Sequence, residues 1–587
     1  MAGTALAAEG SPVPPLQPGG IPRIGSPTEV RPLPDGPLHF VGIGGAGQSA
    51  IAYVLAQRGH VVRGSDSGIS TTAKARLESV GCEVYTQHAA KNVKPDTAAV
   101  IATDAVNEQN PEIAEALKRG LPVFRRPEAL ASLVNSAQTS ICVAGTHGKT
   151  TTTGMIASIL IHAGLNPTVL IGGDLPLING NSQNGDPDLV VAEACEAYGG
   201  LDCLSPTIAV ITNCEPDHLD FHGTEENFYA AFIKFLNQKK INSLIMHLNA
   251  FEILSGYGMS KFMTEMIRKQ TIESIIFNSY PIKVIEIEKH LIFLPTKENV
   301  ATFGYVSIYK SMRPYTYKNT LRYKNIRRNK NGISFHVEYT GTIKLRVFGL
   351  HNIENACAAI GVASCFDIKR KAILSGLESF AGTGRRFERL GEVEGIAIVD
   401  DYAHHPTEIR ATLQAARQAF PGRRIVAIYQ PHLPSRTRDF LDAFAEALSS
   451  ADACYLTDIY LAREPEQPGL IEALAERIRG EEAISPGSFL AVPSSPSAPS
   501  SREEGQRSEG RTERGDDASL PMSLRTNRGR EVPEPCEGGE MAITLVKDRH
   551  DLPPILLREL KPGDVALFMG AGNIREQAEE FLKQHGR

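Results

Sequence analysis

No two cysteines in this chain are spaced C-x-x-C, and Cys195, Cys203 and Cys214 stand too far apart for a zinc knuckle. Nine scattered cysteines without that spacing point to reduced thiols in a cytoplasmic enzyme. No apolar run reaches the roughly 18 residues that a membrane span needs. The N-terminus has neither a basic segment nor a continuous apolar one, so no signal peptide is expected. Positive charge is not in excess: the formal net charge is −6 over 587 residues. That argues against nucleic acid as the main partner, and it leaves room for local cationic loops that hold an anionic substrate. No internal repeat is present.

What is there reads as an ordinary globular chain, 42% hydrophobic and 22% charged. At about 150 residues per domain, three or four units are expected. Residues 1–37 are rich in Pro, Gly and Ser and bury too little to fold, so a disordered leader is expected. Residues 38–137 then alternate strand and helix, starting with "LHFVGIGGAGQSAIAYVLAQRGHVVRGSD". A second α/β unit, 138–379, opens at "TSICVAG". Within it, residues 239–330 shift toward Lys, Ile, Asn and Tyr, as a divergent or inserted stretch would. A third α/β unit, 380–587, is interrupted by Ser/Pro/Glu/Arg/Gly low complexity at 485–540, which reads as a disordered loop.

The chemistry concentrates at strand ends. Gly42, Gly44, Gly45 and Gly47 form G-x-G-x-x-G between a strand and a helix, and Asp66 follows at the end of the next strand. Glycines there let the backbone approach a diphosphate at a helix N-terminus, whether of a dinucleotide or of another nucleotide. "VAGTHGKTTTT" resembles a shortened phosphate loop: five positions before Gly148 stands Val143, and the nearest upstream glycine is Gly145. Its backbone amides suit phosphate, Lys149 can reach β- and γ-phosphates, and Thr150 can ligate Mg²⁺. Glu193 ends the buried run "LVVAEACE", where an acid would share that ion. "TNCEPDHLDFHG" ends the next strand with Asn213, Glu215, Asp217, His218 and Asp220. His218 is placed there to bind a second metal or donate to phosphate. "GLHNIENACAA" offers His351, Asn352 and Asn355, with amides that can cap a helix or read an adenine edge. Arg385 and Arg386 supply planar forks, and "VDDYAHHPTEI" and "QPHLPSRTRDF" gather Asp401, Tyr402, His404, His405, His432, Arg436 and Arg438 at strand ends.

Eight motifs in this order, G-x-G-G-x-G, G-T-H-G-K-T-T, E-A-C-E, T-N-x-E-x-D-H-x-D, H-N-x-x-N, R-R-F-E, D-D-Y-x-H-H-P-T-E and Q-P-H-x-x-S-R-T, resemble the Mur ligases over about 38–255 and 299–480, with a tail at 541–580. The resemblance implies an α/β fold of three domains: a Rossmann-like N-terminal domain, a P-loop-type central ATPase domain and a Rossmann-like C-terminal domain. It implies an ATP- and Mg²⁺-dependent ligase of peptidoglycan and cell-wall synthesis, hence of cell shape and division. The branch it resembles joins L-alanine to the lactyl carboxylate of UDP-N-acetylmuramate through an acyl phosphate. A sister ligase that adds a preformed tripeptide to the same UDP sugar, and an inactive binding homologue, are the alternatives. On the resemblance, Gly42–Gly47, Ser65 and Asp66 hold the UDP sugar. Gly145, Thr146, His147, Gly148, Lys149, Thr150 and Thr151 hold ATP. Thr150 and Glu193 bind one Mg²⁺ and His218 another. His351 and Asn355 sit near the adenine, Arg386 and Asp401 close over the nucleotide, and His147 marks the branch. Tyr402, His432 and Arg436 position the alanine. The chain departs from the family at Gln48, where methionine is usual, and at Leu433 and Pro434, which replace an Arg–Tyr pair.

Overall fold

A computed structural model of the chain describes residues 31–257, the strands 274–278, 282–287 and 290–295, residues 323–480 and residues 542–585, apart from positions 104, 105, 107, 239, 330, 331, 338, 339 and 463. The interrupting stretch 485–540 and most of the leader lie outside the described residues.

The first sheet is wholly parallel, with order β3-β2-β1-β4-β5. Its strands are β1 (Leu38–Val41), β2 (Val62–Ser65), β3 (Glu83–Tyr85), β4 (Ala99–Ala102) and β5 (Val123–Arg125). Every residue of β1 is buried, as expected of a parallel strand covered by helices on both faces. The strand order reverses between β1 and β4, and a crevice opens at the carboxyl end of such a switch point. The glycine loop Gly42–Gly47 lies there, leading into the helix Ala46–Gln57.

The central sheet has order β12-β11-β10-β6-β9-β7-β8. Its strands are β6 (Thr139–Ala144), β7 (Pro167–Leu175), β8 (Gly180–Gln183), β9 (Asp186–Glu193), β10 (Ile208–Ile211), β11 (Ser243–His247) and β12 (Ser274–Asn278). β6 lies in the middle and alternates its side chains between two cores, as a pleated strand must. Ile141 and Val143 pack with Met155, Ile156, Ile159 and Leu160 of the helix Lys149–His162. Cys142 and Ala144 face the other way, into a core shared with the first domain. β11 pairs in parallel with β10, so the chain runs on in the same sheet past position 239 despite its change of composition. A hairpin of β13 (Ile282–Ile287) and β14 (His290–Pro295) follows. A three-stranded sheet, β15 (Tyr323–Asn329), β16 (Gly332–Val337) and β17 (Gly341–Leu345), then presses Ile333, Phe335, Val337 and Ile343 into the core of the central domain.

The third sheet has order β18-β19-β23-β20-β21-β22. β18 (Glu388–Val393) is an antiparallel edge beside β19 (Ile396–Asp401), and β20 (Ile425–Tyr429), β21 (Ala453–Thr457), β22 (Ala542–Val546) and β23 (Val565–Met569) complete it in parallel. β23 sits between β19 and β20, so the last stretch of chain supplies the middle of this sheet. The chain on either side of residues 481–541 therefore belongs to one layer.

Polar ties join the first domain to the central one. Arg58 donates to Thr168 Oγ1 at 3.0 Å and to Asn184 Oδ1 at 3.1 Å. Arg76 donates to the carbonyls of Asn179 and Ser182, and Asn181 donates to the Ala46 carbonyl at 2.8 Å.

Phe335 is fully buried. Phe335→Ala is expected to destabilise the chain by roughly 3–5 kcal/mol in denaturant titration, the usual loss for an emptied aromatic site. An unchanged midpoint would mean that the β15–β17 sheet is not part of the central core.

Candidate active site

The shortened loop is made possible by two glycines. Gly145 has φ +131° and Gly148 has φ +79°, the left-handed region that side chains avoid. A Cβ on Gly145 would also collide with Thr212 Oγ1, and one on Gly148 with Asn355 Oδ1. The loop is laced to the segment after β10. Asn213 Oδ1 accepts from the His147 amide at 2.8 Å, and Thr146 Oγ1 donates to the Glu215 carbonyl at 2.6 Å. Gly148 then caps the helix Lys149–His162, whose first amides face the loop.

Because β9 and β10 flank β6, their carboxyl ends bring acids to both sides of this loop. Thr150 Oγ1 donates to Glu193 Oε2 at 2.9 Å, so two hard oxygens stand together where a divalent cation would bind. The same carboxylate oxygen accepts from the Gly172 amide at 2.9 Å. Lys149 Nζ turns back to the carbonyls of Gly145 and Thr146 and pairs with Glu196 at 2.9 Å. Burial works against its charge, but Glu196 outweighs that and holds it protonated, well above the ordinary lysine range. Ligand atoms of Glu196, Asp217 and His218 all lie within 4.8 Å of one another, and the buried His218 Nδ1 has no partner among the described residues.

The third domain meets this cluster from the other side. Arg436 donates to Asp217 Oδ1 at 2.7 Å, with side chains 4% and 5% exposed. Burial works against the Asp217 charge, but His218 and Arg436 hold it well below the usual carboxylate range. Thr407 Oγ1 donates to Glu215 Oε2 at 2.7 Å. His147 Nδ1 lies 3.3 Å from Glu408 Oε1 and its Nε2 lies 3.6 Å from Glu215 Oε2. Burial opposes its charge, yet those two carboxylates raise it to about 9. Glu408 also takes Arg386 at 3.2 Å and His404 Nδ1 at 3.3 Å. Burial, reinforced by nearby cations, pushes His405 down to about 4 and His432 to about 2; burial also carries His404 down to about 4. These three rings are therefore neutral near pH 7, while His147 is not.

The structure brings Lys149, Thr150, Glu193, His218, Arg386, Asp401, Tyr402, His432 and Arg436 to the facing edges of the central and third sheets. Tyr402 stacks under Arg385 at 4.7 Å and Arg386 at 5.4 Å. Asp401 accepts from the Phe387 and Ala403 amides at 2.8 Å each, and burial raises it to about 6. Arg436 Nη1 reaches His432 Nδ1 at 3.3 Å, and the His432 ring stacks on Tyr460. Asn355 is tied to the loop helix through Thr152 and to Asn352, and His351 packs beside Gly349 with burial lowering it to about 4. In the first domain, Asp66 accepts from the Gly44 amide at 3.0 Å and the Gly68 amide at 2.8 Å. Ser65 is turned inward, bonded to Glu112 and to His88 Nδ1, so its hydroxyl is engaged within the domain. The candidate set from sequence omitted Glu196 and Glu408. Both were visible as the second acid of E-A-C-E and the last residue of H-H-P-T-E.

The chain belongs to the Mur ligase family. Residues 37–138 match its catalytic domain, 143–277 its middle domain and 385–494 its glutamate ligase domain. The chain is 36% identical over 551 residues to the UDP-N-acetylmuramate–L-alanine ligase of Geobacter sulfurreducens, covering 93% of this chain and 96% of that one. It is 34% identical to the same-named ligase of Salinibacter ruber, covering 93% and 94%. The crystal structure of UDP-N-acetylmuramate–alanine ligase from Thermotoga maritima shares the fold, with a TM-score of 0.63 at 24% identity over 93% of this chain and 98% of that one.

His147 contributes stability while it is protonated between its two carboxylates. That contribution is complete below about pH 6.5, its ordinary value, and is lost as pH rises through about 9. The thermal midpoint of the full chain is expected to fall between those values, and to fall less in His147→Asn. Equal slopes for the two proteins would contradict the ion-paired assignment.

Proposed function

We propose that this protein is an ATP-dependent ligase that joins L-alanine to the lactyl carboxylate of UDP-N-acetylmuramate in peptidoglycan precursor synthesis. The observation that carries the reading is the junction itself: a phosphate loop flanked by Glu193 and Glu196 on one side, closed on the other by Arg386, His432 and Arg436 of the third domain. Relatives at 34–36% identity over nearly their full length are named for that reaction, which favours L-alanine over a preformed tripeptide as acceptor. Among the described residues no helix is long and apolar enough to cross a membrane, and the eight described cysteines are free. Both fit a cytoplasmic place of work on a nucleotide-activated sugar.

In this reading Gly42–Gly47 hold the UDP moiety and Gly145–Thr151 hold ATP. Thr150 and Glu193 present the oxygens for one Mg²⁺, and the unpartnered His218 Nδ1 is a donor for a second. Bound there, the metal supplies charge neutralisation at the phosphates. The lactyl carboxylate attacks the γ-phosphorus of ATP, ADP leaves, and an acyl phosphate forms. Lys149, kept charged by Glu196, stabilises the negative charge that shifts during transfer. The alanine amine then attacks the acyl carbon, and phosphate leaves as the amide forms. The amine's proton passes to the departing phosphate, and His432, held beside Arg436, positions the alanine. Arg436 already gives Nη2 to Asp217, so its remaining donors are what it can offer to the alanine carboxylate. Three binding regions on three domains require closure around the substrates.

Phosphate release with ATP, Mg²⁺ and UDP-N-acetylmuramate is expected to depend on L-alanine and not to respond to the tripeptide. Release that ignores L-alanine would refute the function. Lys149→Ala is expected to lower turnover by at least about a hundredfold, the scale of a removed transition-state donor, while binding of the UDP sugar survives. Joint loss of turnover and UDP-sugar binding would contradict the division of sites between domains.

A further inference from the structure

Arg126 is outside every role assigned so far. It opens the helix Arg126–Val134 directly after β5, on the carboxyl side of the first sheet. Arg58 and Arg76 of the same domain are committed to the central domain. Among the described residues, Arg126 donates no hydrogen bond and pairs with no carboxylate. Yet it is only partly exposed. A half-withdrawn guanidinium has five donors in a fixed fork and gains from a planar or phosphate anion.

Its position names the anion. The side chain lies across Gly47: a Cβ built on that glycine would stand 3.0 Å from Arg126 Cδ and 3.3 Å from Nη1. Gly47 is in the first turn of the helix Ala46–Gln57, which carries no acidic residue in that turn. The Gly44 amide is taken by Asp66 and the Gly45 amide by the Gly42 carbonyl, so the amides of the helix's first turn are the ones left to a ligand. Gln48 in the same turn is 2% exposed, and neither its Oε1 nor its Nε2 has a partner among the described residues. A buried amide left unbonded costs free energy until something polar meets it. The Arg126 charge also acts on Cys195, as do those of Lys149 and Glu196. Arg126 thus lies over the glycine loop, within electrostatic reach of the residue before Glu196.

We propose that Arg126 is a substrate-binding residue whose guanidinium holds the diphosphate of the uridine nucleotide against the first turn of Ala46–Gln57. This rests on the function proposed above. A forked donor over Gly47 adds directed charge to the helix amides, which alone supply partial charge. It also fixes the sugar nucleotide on the side facing Lys149, where the lactyl carboxylate must arrive.

The test is calorimetric titration of the full chain with UDP, UDP-N-acetylglucosamine and UDP-N-acetylmuramate, in wild type, Arg126→Ala and Arg126→Lys. Arg126→Ala is expected to weaken all three nucleotides by roughly 10- to 100-fold, the scale of a lost charge-assisted phosphate contact. Arg126→Lys, which keeps the charge and loses the fork, is expected to lose less. It carries the test by itself if the alanine variant does not fold. In turnover, KM for the UDP sugar rises while kcat and KM for ATP stay near wild type. Wild-type affinity in both variants overturns the proposal. So does weakening confined to UDP-N-acetylmuramate, which would put Arg126 on the lactyl carboxylate. If wild type binds none of the three, the functional reading itself fails.

Discussion

The structure turns on a buried set of ion pairs between the central and third domains. His147 stands between Glu215 of its own domain and Glu408 of the third, and Arg436 reaches across to Asp217. Such pairs are costly to desolvate and costly to break, because removing one partner strands the other. Their contribution depends on each partner keeping its charge, and they fix which surfaces meet. Here they fix the third domain's arginines over the phosphate loop. Since His147 is itself a loop residue, the loop's conformation and the domain contact are one feature.

Charge is distributed so that each group keeps a distinct state. Lys149 stays protonated because Glu196 outweighs burial, and Asp217 stays ionised because His218 and Arg436 do the same for it. His404, His405 and His432 are buried near cations and stay neutral. One buried junction thus contains a fixed cation beside the phosphate loop and neutral imidazoles that add no charge to it. Environment sets these roles, since the same residue type appears in both states.

Local features of the junction were legible in the sequence. The phosphate loop, the strand before it and the helix after it lie within about two dozen residues, and spacing alone relates Gly145, Gly148, Lys149 and Thr150. Glu193 was legible because it ends an apolar run long enough to be a buried strand. The layered α/β architecture followed from strand and helix alternation. Contacts across domains were not legible: Arg436 and Asp217 are 219 positions apart, and Thr407 and Glu215 are 192 apart. No periodicity relates such residues. Ser65 shows the reverse limit, since the family resemblance implied a ligand contact while packing turns its hydroxyl toward Glu112 and His88. Arg126 belongs to no motif, and only its position across Gly47 singles it out.

The account stands or falls on the acyl phosphate, the step that requires the UDP sugar's carboxylate to meet ATP at the loop. Lactyl carboxylate labelled with oxygen-18 tests it in a single turnover with ATP and L-alanine. The account predicts that one labelled oxygen leaves in the inorganic phosphate and the other stays in the new amide. Unlabelled phosphate released alongside the amide product would contradict it.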